Sequence, residues 1–234
     1  MPNVVKPPRF DPYEGIHKAL RALMTDTLIA LGRMDGDDPS ECAEMTQRVL
    51  TLLDFCRSHA DHENRFIHPA LEARAEGSTR FVEEDHEAHD REIEKLMEAT
   101  VKLKKCIPEH RSADGNVLYR SLALFIARNF EHLHIEEVVH NAVLWEHYSD
   151  VEIGAMHDAI LRSLTPQETS FILRWLIPFL SPSERAVTML KMKATAPPAA
   201  FIAALEAVKP HLRKHEWSKL LTSLEMLEEA CDRA

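Results

Sequence analysis

The chain has 234 residues, enough for one large domain or a domain with an appendage. A hydrophobic fraction of 45% allows a real core, while only 6 Gly and 6% aromatics favour an all-α protein. A net charge of −10 argues against a nucleic-acid partner, and no apolar run approaches the ~18 residues of a membrane span.

The four cysteines, Cys42, Cys56, Cys106 and Cys231, are scattered and form no CxxC. That pattern fits free thiols in a reducing compartment better than a disulfide frame. The first residues, MPNVVKPP, are too short and too Pro-rich to read as a signal peptide, so a soluble cytoplasmic protein is expected.

Residues 1–11 read as an extended arm, because Pro2, Pro7 and Pro8 oppose helix. A first helix is expected from about Asp11-Pro12, with His17, Leu20, Met24, Leu28 and Leu31 on one face. Asp38-Pro39-Ser40-Glu41 is a helix start with a capping Asp and Pro at the first position. The second helix should run to about Ala75, burying Val49, Leu52, Leu53, Cys56, His59, Glu63 and Phe66, with a kink at Pro69. A third spans about 79–105, with Val82, His86, His89, Ile93 and Leu96 inward. After a turn at 107–115, a fourth spans about 116–148 and buries Leu118, Leu122, Phe125, Asn129, His132, Glu136, Val139 and Val143. Short loops between four long helices predict an up-down-up-down four-helix bundle.

From Ser149 onward the pattern changes. Ser149-Asp-Val-Glu152, Thr165-Pro-Gln-Glu168 and Ser181-Pro-Ser-Glu184 are three capped helix starts in quick succession. Residues 149–234 therefore read as four or five short helices. Trp175, Phe179, Phe201 and Trp217 would supply their contacts with the bundle or another subunit. The expected organisation is a bundle over 1–148 and a short-helix extension over 149–234.

Chemistry is concentrated in a repeated pair. His59 and Glu63 stand four apart, and His132 and Glu136 repeat that spacing. On a helix, residues at i and i+4 share a face at about 6 Å. Either pair alone is equally well a hydrogen bond on a solvated face. Two pairs, each inside an amphipathic helix and each followed by a Leu (Leu71, Leu144) at the same offset, form a more specific pattern. Counting along antiparallel helices at 1.5 Å per residue puts His17, His59, Glu63, His86, His132 and Glu136 in one layer.

Buried imidazoles and carboxylates are costly unless paired or bound to metal. Such a set suits iron, manganese or zinc. No thiolate belongs to it, and Cys56, one turn before His59, reads as a small core residue, so an iron–sulfur or structural zinc site is disfavoured. His89 and His140 are further ligand candidates, the latter also as an outer donor or a gate. His62 adjoins Glu63 but points about 100° away from it on a helix. His68 is expected near the surface, His134 and His147 in solvent, and His157, His211 and His215 on the surface of the tail.

These residues resemble the hemerythrin-like, or HHE cation-binding, domain: "IHKALR" with His17, "HADHENRFIHPALE" with His59 and Glu63, "EEDHEAHD" with His86 and "FEHLHIEE" with His132 and Glu136. The resemblance covers about 11–148. It implies a four-helix bundle holding two iron ions, with His17, His59, His86 and His132 as terminal ligands and Glu63 and Glu136 as bridges. The oxygen-carrying members have two His four apart on the third helix, whereas here Asp90 follows His86 at that spacing. A fifth imidazole must come from His89, His62 or His140, or be absent. The tail resembles the C-terminal extension of some bacterial members.

The resemblance implies a non-haem di-iron protein, with manganese or zinc as other metals the set would take. It would react with oxygen, nitric oxide or peroxide and an electron donor in a redox or sensing role. Two other readings stand beside it: a di-iron enzyme (oxidase, peroxidase or iron-centre repair factor), and an interaction protein with a structural metal. Neither nucleic acid nor membrane is an expected partner, and a homo-oligomer is one expected assembly.

Overall fold

The computed structural model describes residues 9–231, and every regular element among them is helical. Residues 1–8 of the expected N-terminal arm lie outside the described residues. The chain divides into two compact units. One comprises the residues up to Glu14 with Leu23–Ser163, and the other comprises Gly15–Ala22 with the residues from Leu164 onward.

Four long helices make the bundle: α1 (Glu14–Gly32), α2 (Pro39–Phe66), α4 (Arg80–Lys105) and α5 (Pro108–Ile135). A short α3 (His68–Arg74) follows α2. A π-helical segment (Glu136–His140) leads from α5 into α6 (Asn141–His147), and α7 (Asp150–Ser163) completes the first unit. Helix α1 starts at Glu14 rather than at Pro12, because Asp11 Oδ1 accepts the Tyr13 and Glu14 amides at 2.8 and 3.1 Å and so caps from further upstream. Asp38 caps α2 as expected, accepting from Ser40 and Glu41.

α2 packs along α4, and α4 along α5. The buried stripes carry Val49, Leu52, Leu53 and Cys56 on α2, Val82, Ile93, Leu96 and Leu103 on α4, and Leu118, Leu122, Phe125 and Ile126 on α5. The later part of α1 is tied in by Arg48, which bonds Thr27 and Asp26. Cys42, Cys56 and Cys106 are free thiols, and the Cys231 side chain lies outside the described ones. Burial pushes the Cys56 thiol up to about 12, which suits a small core residue.

Three departures from the sequence reading matter. The kink expected at Pro69 is a full break: α2 stops at Phe66, and Pro69 opens α3 where its missing N–H costs nothing. The turn expected at 107–115 is helix, since Pro108 starts α5 and Gly115 sits inside it. A Cβ at Gly115 would meet Met34 Cε at 3.1 Å, so that glycine serves close packing and does not end a helix. Third, the π-helical segment rotates the end of the fourth long helix. Past Glu136 the inward residues are His140, Asn141 and Leu144, while Val139, expected inward, is 48% exposed.

Leu71 and Leu144, which follow the two His-Glu pairs at equal offsets, are both fully buried in one apolar cluster with Tyr13, Ile67 and Ile153. Ile153 lies on α7, so the first unit reaches past the expected boundary at 148/149.

The second unit contains α8 (Pro166–Leu176), α9 (Pro182–Thr195), α10 (Pro198–Val208) and α11 (Lys214–Cys231). Thr165 and Ser181 form the expected capping boxes with Glu168 and Glu184. Leu173, Ile177, Leu180, Met189, Phe201, Val208, Leu220 and Leu224 form its own core, with Trp217 packed against them. Phe201 and Trp217 are thus used inside this unit, whereas Phe179 stacks on Trp175 and is half exposed.

Candidate metal centre

α2 presents His59 and Glu63 one turn apart, with His59 Nε2 3.2 Å from Glu63 Oε1. α5 and the π-helical segment present His132 and Glu136 in the same way, at 3.3 Å. α4 delivers His86 between them: its Nε2 lies 3.5 Å from Glu63 Oε2, 3.7 Å from Glu136 Oε1 and 2.9 Å from His132 Nε2. Glu63, His86, His132 and Glu136 are all buried. They offer ligand atoms within 4.8 Å of one another, as do His59, Glu63 and Glu136. The two carboxylates belong to both groups.

His17 is fully buried on the stripe of α1 that continues through Leu20, Met24, Thr27 and Leu31. It lies on Gly15–Ala22, the part of α1 that groups with the second unit. His89 is buried but sits edge-on to Phe125 and His132 and joins no group of candidate ligands. His62 is half-buried and stacks on Phe66, outside the centre. His134 is exposed, as expected.

His68 corrects an expectation. The His-Pro pair points to the surface, yet His68 is 2% exposed, because the break at Ile67 turns the start of α3 inward. It stacks on His86 at 5.2 Å and meets His140 edge-on at 5.4 Å. His140 is fully buried because the π-helical segment carries it inward. His68, His140 and Glu136 form a third group of converging ligand atoms.

The groups behind the imidazoles were not legible in the sequence. Asn64 Oδ1 faces His86 Nδ1 at 2.9 Å, and an amide oxygen only accepts, so Nδ1 carries a proton there. Asp85 Oδ2 lies 3.5 Å from His132 Nδ1. Both arrangements leave Nε2 directed at the carboxylates. Metal-binding imidazoles are held in this way, with the outer nitrogen anchored and the inner one free to donate its lone pair. Asn64 follows Glu63 and Asp85 precedes His86 directly in the chain, but each serves an imidazole on another helix, which spacing along one helix cannot reveal.

The electrostatics show what the centre does without a cation. Burial works against charge on His86, but Glu136 and Glu63 outweigh it and raise its pKa to about 9. Burial likewise opposes charge on His132, and Glu136 again reverses the direction, so His132 is raised. For Glu136, burial and Glu63 push upward, but the bonds from His132 and His86 hold it below the usual carboxylate range. Protons on imidazole therefore balance the buried carboxylates, and a cation would have to displace them. The donor set of neutral imidazole and carboxylate, without thiolate, fits iron, manganese or zinc.

Imidazoles and carboxylates converging from separate helices of a bundle define an all-α cation-binding domain. The sequence profile of the hemerythrin HHE cation-binding domain matches residues 11–143, and the chain belongs to that family. Comparison with curated proteins and with solved structures returns no match. Among the described residues, no helix is long and apolar enough to cross a membrane.

Proposed function

We propose that this protein is a non-haem di-iron protein that reacts with oxygen, nitric oxide or peroxide in a redox or sensing role. The observation that carries this reading is the sharing of Glu63 and Glu136 between two groups of ligand atoms. Two carboxylates common to two adjacent clusters suit two adjacent ions. His86 and His132 would be terminal ligands of one ion, and His59 of the other. His17 stands within the matched domain, on the buried stripe of its own helix. Such an ion pair, when bound, would supply redox chemistry. Asn64 and Asp85 would hold the imidazoles in the tautomer that donates Nε2. An external electron donor is the expected partner, and the cytoplasm the expected compartment.

Elemental analysis of protein made in iron-replete medium should find about two metal ions per chain, mostly iron, matching the two ligand groups. Ferrous protein exposed to air should gain near-ultraviolet and visible absorption that persists until a reductant is added. Protein that takes up no iron, even on reconstitution, would refute the reading. Zinc alone would keep the cation centre and remove its redox role.

A further inference from the structure

We propose a third cation site, built from His68, His140 and Glu136 beside the proposed pair and suited to a divalent ion that favours imidazole, such as zinc. It borrows Glu136 from the pair, and so rests in part on that reading, but adds two imidazoles that the pair does not use.

Three observations carry it. The residues are buried, at 2%, 0% and 0% exposure, and their ligand atoms lie within 4.8 Å of one another. The Nε2 atoms of His68 and His140 have no hydrogen-bond partner. An imidazole nitrogen left so in a dry interior is costly unless something binds it. Finally, each ring has a polar group near its Nδ1. His68 Nδ1 faces Glu83 Oε1 at 3.8 Å, and His140 Nδ1 meets the Tyr13 hydroxyl at 3.3 Å. Each ring also offers a nitrogen that converges with a Glu136 carboxylate oxygen. His89 is a buried imidazole nearby that joins no group of candidate ligands, which makes it the natural control.

Two imidazoles and one carboxylate form a donor set for zinc that leaves coordination positions open. Positive charge added beside the pair is offset by Glu83 behind His68 and Asp85 behind His132. The ring stack between His68 and His86 brings the third site directly against the pair. An ion there would hold α3 and α6, the two short helices that follow the His-Glu pairs, to one another.

The test uses the full chain. Protein is loaded with ferrous iron without air, desalted, titrated with zinc chloride, desalted again and analysed for both metals. Two irons and one zinc per chain are expected for the unmodified protein. His68→Gln and His140→Gln should each keep two irons and lose the zinc, and His89→Gln should lose neither. Glutamine keeps polarity and much of the volume, and circular dichroism checks that each variant is folded. Unmodified protein that takes zinc only by displacing iron, or takes none, overturns the proposal. So does zinc uptake unaffected by either substitution. Loss of iron together with zinc in the two variants also overturns it, since the imidazoles would then belong to the pair. One zinc and no iron in the unmodified protein, with the zinc lost in both variants, would refute the pair and leave this site standing.

Discussion

The two units bury polar groups in opposite ways. In the second unit, Arg185 is 3% exposed, yet its guanidinium donates to the carbonyls of Ile177, Pro178 and Leu180 at 2.8, 3.1 and 3.1 Å. Those carbonyls belong to the 3-10 turn that ends α8, where helical partners run out, so the arginine acts as an internal cap. Its donors and their acceptors answer one another. In the first unit, the Nε2 atoms of His68 and His140 have no such answer. Buried polarity of the first kind is structural. The second kind leaves room for a ligand, and the domain belongs to a cation-binding family.

The sharpest way to break this contrast is to remove the shared carboxylates. Glu63→Ala or Glu136→Ala should take metal from about two ions per chain to none, because each carboxylate serves both ligand groups. His86→Ala should mainly empty one position, and His134→Ala neither. Elemental analysis of desalted protein reads all four. If His134→Ala proves as damaging as Glu136→Ala, the inward face of α5 is misassigned.

In the second unit, the corresponding change is Arg185→Met. It keeps apolar bulk but leaves three carbonyls without their donor, two of them in buried bonds, and should destabilise the protein by about 3 kcal/mol in denaturant unfolding. A cost below about 0.5 kcal/mol, the range of neutral surface changes, would mean that the carbonyls find other donors.

A smaller effect, of opposite sign, is expected at Gly115. It lies within α5 and faces only the flexible end of Met34. Gly115→Ala should stabilise by up to about 1 kcal/mol through helix propensity, provided Met34 gives way by a few tenths of an ångström. Destabilisation would show that Met34 is fixed.

These cases also show what the sequence discloses. Helical periodicity makes the long helices and the two His-Glu pairs visible, since i, i+4 spacing is a property of one helix. The capped starts at Thr165 and Ser181 are visible for the same local reason. Three things are not local. The break at Ile67 turns His68 inward, although the His-Pro dipeptide looks like a surface turn. The π-helical segment shifts the inward face from Val139 to His140, and periodicity counted at 3.6 residues steps over it. Asn64 and Asp85 support imidazoles on other helices, a relation set by packing. The missed residues, His68, Asn64, Asp85 and Tyr13, cluster where backbone irregularity and cross-helix contact decide the outcome.

The last and smallest effect concerns the joint that aims His68. Glu72 on α3 accepts from the Gly77 amide at 2.8 Å, the Thr79 amide at 2.9 Å and the Thr79 hydroxyl at 2.6 Å. It thereby clamps the end of α3 to the start of α4, the helix that carries Glu83 and His86. The Thr79 hydroxyl, then the Gly77 and Thr79 amides, hold the Glu72 carboxyl down to about 2. A carboxyl depressed in the folded state contributes stability that is present above its unfolded value of about 4.5 and is lost as pH falls through about 2. Solvent reaches Glu72, so the gain is modest, smaller than that at Arg185. Glu72→Gln should lower the thermal midpoint slightly at neutral pH and flatten its decline between about pH 4.5 and 2. Iron content should stay at two per chain, while zinc affinity at the proposed third site falls, because Glu72 lies on α3, the helix that begins with His68. A midpoint and acid profile identical to those of the unmodified protein would show that the turn between α3 and α4 is held by something other than this carboxylate.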